Sequence, residues 1–131
     1  MSVVNDVLLA VIGMAQIEDL YAPIRIGSLP ADNGIAMHIV IGSPDTTFQS
    51  KSSVQEIQCA IYAKNFDAEK ASNALNDIHQ ALTQTKTYPQ TNDYQIVNII
   101  TTESPNYLDR EDNGQWLYSS AVSIRFFFKK G

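Results

Sequence analysis

From Trp116 onward the chain alternates: Trp116, Tyr118, Val122, Ile124, Phe126 and Phe128 fall on one side, and Leu117, Ser119, Ser123, Arg125 and Lys129 on the other. A period of two is the signature of a strand with one buried face. The same pattern predicts strands over Ile35 to Ile41, where His38 lies on the weaker face, and over Val54 to Ala63, where Ile57, Cys59, Ile61 and Ala63 oppose Glu56, Gln58 and Tyr62. Tyr94 to Glu103 reads as a further strand, and Ile24-Arg25-Ile26, between Pro23 and Pro30, as a short one at most.

Two segments follow a helical period instead. Val4, Val7, Leu8, Val11 and Ile12 form a stripe along a first helix capped by Ser2 and ending near Ala15 or Ile17. Ala71, Ala74, Leu75, Ile78 and Leu82 describe one face of a second helix, with Asp67 as its N-cap and an end near Gln84; His79 is expected on its exposed side. Thr83 to Asp93 is a polar linker; Gly42 to Thr47 breaks the strand before it, and Phe48 to Ser53 is a polar connector.

Turn chemistry joins these pieces. Asp32-Asn33-Gly34 leads into the strand at Ile35, and Asn113-Gly114 precedes the last strand; Asn and Gly are the residues that most readily take positive φ in hairpin turns. The Pro105-bearing stretch that follows Glu103 and ends in Asn113-Gly114 is expected to be a loop between two strands. If Gln115 to Lys129 were one strand it would span about 50 Å. A domain of this size has a radius of gyration of about 14 Å, so the hairpin is expected to bend sharply or to reach beyond its own domain. The order of elements predicts a single α+β domain over 1–131: an antiparallel or mixed sheet of four to five strands, two helices packed on one face, and a long C-terminal β-hairpin.

Composition narrows the function. Nine Lys and Arg are scattered against 14 Asp and Glu, a net charge of −5, which disfavours binding to a phosphate backbone. The single cysteine, Cys59, allows no internal disulfide and reads as a small buried hydrophobe in a reducing compartment. The apolar run Val7 to Ala15 lacks a preceding Lys or Arg, carries Asp6 and is too short to span a bilayer, so it is read as a core helix rather than a leader.

Catalytic chemistry is thin. His38 and His79 have no nucleophile or carboxylate at a motif spacing and are read as structural. Asp109, Glu111, Asn113 and Gly114 occupy the first, third, fifth and sixth places of a calcium loop, but its twelfth place, which needs a bidentate glutamate, is Ser120. The stretch is better read as an acidic hairpin tip. No nucleophile elbow or phosphate-cradling glycine loop is present, and no cofactor or metal is expected.

Gln55 to Ala71, the helix that follows, Glu103-Ser104-Pro105, the acidic Asn113-Gly114 turn and the closing aromatic strand together resemble the tail terminator, or minor capsid, proteins of long-tailed bacteriophages. The resemblance implies a non-enzymatic virion part, made in the host cytoplasm and placed at the head-tail junction. Its copies form a ring, usually of six, that caps the tail tube and meets the head-tail connector, while DNA passes without specific binding and no membrane is involved. Aromatic and large apolar groups dominate interfaces, so Tyr107, Leu108 and Trp116 are the expected anchors, with the neighbouring Asp109 and Arg110 as further contact residues. Trp116 has a second possible role, closing the end of its own core.

Other readings stay open on sequence alone. A head-completion or connector protein has the same size and site-free character. A small cytoplasmic α+β enzyme needs polar groups that converge in space, such as His38 with Glu56 or Asp45. A monomeric interaction module is a further alternative.

Overall fold

Helix α2, Ala68–Thr83, begins where the sequence places it: Asp67 has extended backbone and its side chain accepts from the Glu69 N–H at 3.0 Å. That bond satisfies one of the orphan donors of the first turn. The computed structural model of the protein describes residues 3–16, 20–41 and 54–128. The Ser2 cap, the 42–53 break and connector, Asp45 and Lys129 lie outside them.

Ala71, Ala74, Leu75, Ile78 and Leu82 are buried along α2, and so is His79. The expectation that His79 faces solvent is therefore corrected. Residues 71, 75 and 79 lie on one i, i+4 ridge, and the apolar stripe is wide enough to take the imidazole in. Each fully buried Leu or Ile on this face contributes about 1.5–3 kcal/mol. Helix α1, Val3–Ala15, adds Val7, Leu8, Val11 and Ala15 to the same buried cluster. Beyond its end, the Gln16 side chain accepts from the Ile24 N–H at 2.8 Å.

The strands are β1 (Ile24–Ile26), β2 (Ile35–Ile41), β3 (Val54–Asn65), β4 (Tyr94–Arg110) and β5 (Trp116–Phe128), in the sheet order β1-β2-β3-β5-β4. Only β1 and β2 pair in parallel; the other ladders are antiparallel. Parallel neighbours normally need a long crossover, but a strand of three residues leaves little distance to retrace. Gly27 (φ 95°) opens the return loop and Asn33 (φ 46°) closes it.

One face of the sheet meets both helices in a single core. Ile35 and Met37 of β2, Ile57, Cys59, Ile61 and Ala63 of β3, Val122, Ile124 and Phe126 of β5, and Ile96 and Ile99 of β4 are all buried there. The α+β fold, its mixed sheet and its C-terminal hairpin are as the pattern predicts.

Two readings of the hairpin are corrected. Strand β5 is unbroken, yet it does not leave the domain: β3 pairs with it from Asn65 opposite Trp116 to Val54 opposite Phe127, and β4 covers its other edge. The stretch after Glu103 is not a loop but the second half of β4, which shifts register four times along its length. Pro105 fits there because β4 is the edge of the sheet, where no outer ladder asks for its missing N–H.

Candidate assembly interface

The hairpin turns at Glu111 to Gln115. The Gly114 N–H donates to the Glu111 carbonyl at 2.9 Å, and the Glu111 N–H to the Gln115 carbonyl at 2.8 Å. Only Gly114 takes positive φ, at 96°, so this is a three-residue loop ending in a left-handed glycine rather than a two-residue Asn-Gly turn.

Its base is pinned to the body. Gln115 is fully buried; its Nε2 donates to the Ala31 carbonyl at 2.9 Å and to Asp32 Oδ1 at 3.2 Å, while its Oε1 accepts from the Asn33 N–H at 2.7 Å. The nearly buried Lys64 ammonium sits 3.4 Å from Glu111. Across the same corner, the Tyr21 hydroxyl lies 3.0 Å from the Gly34 carbonyl and 2.9 Å from that of Lys64. Burial pushes this phenol up to about 12, so it remains a donor.

Above that base sits an aromatic cluster. The Tyr107 ring meets Trp116 edge-on at 5.9 Å and Tyr118 at 6.1 Å, and the Arg110 guanidinium lies 4.4 Å from the centre of the Trp116 ring. T-shaped ring pairs and a cation over an indole face are both favourable geometries. The register shift between Tyr107 and Asp109 creates the last contact: it places Arg110, rather than Asp109, opposite Trp116. Tyr107 remains 53% exposed and Leu108 50%. Five of the expected residues thus form one neighbourhood, with Tyr118 as a sixth member that the period of two from Trp116 already points to. Gln115, Lys64 and Tyr21, which hold it in place, carry no sequence signal. Trp116 is half-buried, packed against Tyr107 and Arg110.

The groups weighed for other chemistry are occupied or insulated. Asp109 Oδ1 accepts from the Arg110 N–H at 2.8 Å, Asn113 Oδ1 from the Gln115 N–H at 3.1 Å, and Glu111 faces Lys64. Their oxygens do not converge on a calcium position. Among the described residues no group of three His, Cys, Asp or Glu side chains is placed to hold a metal. Burial pushes the Cys59 thiol up to about 12, which leaves it unreactive. The His38 ring stacks on Tyr62 at 5.5 Å. His38 pairs with Ala60, so Glu56 lies four residues further along β3, about 14 Å away at about 3.4 Å per residue. Glu56 accepts from the Ser123 hydroxyl. His79 Nδ1 is 2.7 Å from Thr101 Oγ1. A surface hollow of about 290 Å³ beside α2 is lined by Tyr21, Lys70, Asn73, Ala74 and Asp77, and contains neither histidine.

Comparison with known proteins supplies the context. The family described as "Bacteriophage tail terminator protein" matches residues 7–126. Among solved structures, a chain from "Virion of native gene transfer agent (GTA) particle" superposes with a TM-score of 0.69 over 97% of this chain and 99% of that one. At 10% sequence identity, that likeness is one of fold. No curated protein matches the sequence. The family match begins within α1 and ends within β5, so it takes in α2, strands β1 to β4 and most of α1 and β5. The chain belongs to the bacteriophage tail terminator family and is a structural protein of the virion tail.

Proposed function

We propose that copies of this protein close into a ring of six on the end of the tail tube, stop its growth there and offer a docking surface to the head-tail connector at the head-tail junction. The protein works by shape and carries no catalytic step. The observation that carries this reading is the outer edge of β4, where Tyr107 and Leu108 stand half-exposed on a hairpin fixed to the body by Gln115 and Lys64. A rigid, partly apolar edge on one side of a sheet suits a heterologous contact, the kind that generates a closed ring. Asp109, Arg110 and Trp116 belong to the same contact. The net charge of −5 suits a ring that lets a DNA duplex pass without holding it.

Replacing Tyr107 and Leu108 together by Ser tests the reading by sedimentation. Both side chains are exposed enough for the fold to persist, which circular dichroism checks. The expected result is a folded protein that no longer forms the ring; an oligomer unchanged from the wild type overturns the role of this edge.

A further inference from the structure

The sheet has two open edges among the described residues, the three-residue β1 and the long β4, and the ladders fix how they stand relative to each other. Ile24 pairs with Ile35, Ile35 with Ala63, Ala63 with Tyr118, and Tyr118 with Tyr107. The same path leads from Arg25 to Asn106. The β1 edge is therefore level with the Asn106-Tyr107 stretch of β4, at the opposite side of the sheet.

Direction is fixed too. β1 runs parallel to β2, and three antiparallel ladders separate β2 from β4, so β1 and β4 point opposite ways. A second copy rotated about an axis along the strands brings its β4 alongside β1 of the first, level and antiparallel.

The side chains at that level are complementary. Glu103 pairs with Ala121, two rows along from the Asn106 level, and its Oε2 accepts from Asn106 Nδ2 at 3.3 Å, so its carboxylate leans toward the row that Arg25 occupies on the other edge. Register partners share a face of the sheet, and Arg25 and Asn106 are joined by register, so both lie on the face away from the helices. Beside them, Ile26 is 52% exposed and lies level with the Pro105 segment, where large apolar Tyr107 is also open. Pro105 and the surrounding register shifts block a long backbone ladder along β4. A three-residue partner asks for no more than a short one.

We infer that in the ring the β1 edge of one copy seats against the Glu103 to Tyr107 stretch of β4 in the next, with Arg25 paired to Glu103 across the boundary. The inference rests on the ring reading above and names its two faces. Both residues are exposed in the single chain, so charge reversal leaves the fold intact.

The test compares wild type, Arg25→Glu, Glu103→Arg and the double variant by sedimentation from micromolar to millimolar protein, both free and with tail tubes added, with circular dichroism on each. Like charges facing each other disfavour association, so each single variant is expected to weaken assembly by about tenfold or more. The double variant, which restores opposite charges at every boundary, is expected to recover it. As a second measurement, Arg25→Cys mixed with Asn106→Cys, its partner at the same level, under mild oxidation is expected to give a disulfide dimer that neither variant forms alone. Single variants that assemble like the wild type, or a double variant no better than the singles, overturn this pairing while leaving the ring standing. A wild type that stays monomeric throughout, both free and with tail tubes added, removes the ring, and the pairing with it.

Discussion

The Gln115 side chain accepts the Asn33 N–H at 2.7 Å, tying the tip of the last hairpin to the turn that launches β2, 82 residues earlier in the chain. The same amide donates to Ala31 and Asp32. Gln115 itself has no solvent exposure, whereas the residues 31–33 that it holds are exposed. Gln115→Leu keeps much of the volume and removes three hydrogen bonds, each worth about 0.5–1.5 kcal/mol net. Urea unfolding is expected to show a loss of about 2–4 kcal/mol. A loss within experimental error of zero contradicts the pinned base on which the interface depends.

His79 makes stability depend on pH. Burial lowers its value below the ordinary 6.5, so below that pH the unfolded chain takes up a proton that the folded chain still refuses. Stability from this site is full above about 6.5 and is lost as pH falls from there toward the folded value. His79→Gln keeps a polar partner for Thr101 and removes the titration. The melting temperature is expected to fall between about pH 7.5 and about pH 5 in the wild type, and to fall less in the variant. Equal falls in both refute the assignment.

Cys59 is fully buried under the helices, with its thiol held up at about 12. A thiol-directed reagent at neutral pH is expected to label it only after denaturation. Rapid labelling of the native protein contradicts the packing described for β3.

Much of this architecture was legible in the amino-acid pattern, for reasons that also mark where legibility ends. Ala71 to Leu82 and Ile57 to Ala63 have clean periods because each element buries a single face. His79 was misplaced because periodicity in apolar residues is blind to a polar side chain drawn into the same ridge by Thr101. Ser104 to Arg110 reads as a loop because an edge strand wears the same polar residues and proline as a loop does. The pairing of β1 with β2, and Gln115's hold on residues 31–33, are long-range facts that no local pattern encodes. At the candidate interface, Tyr107, Leu108 and Trp116 stand out as large apolar residues near a turn. Arg110's seat over Trp116 does not, since it depends on a register shift that only the paired strands reveal.

The central claim is that this protein ends tail growth, and tail length tests it most directly. Electron micrographs of tails assembled with and without the protein are expected to show a single defined length in its presence and tubes of uncontrolled length in its absence. Tails of normal, uniform length without the protein contradict the account.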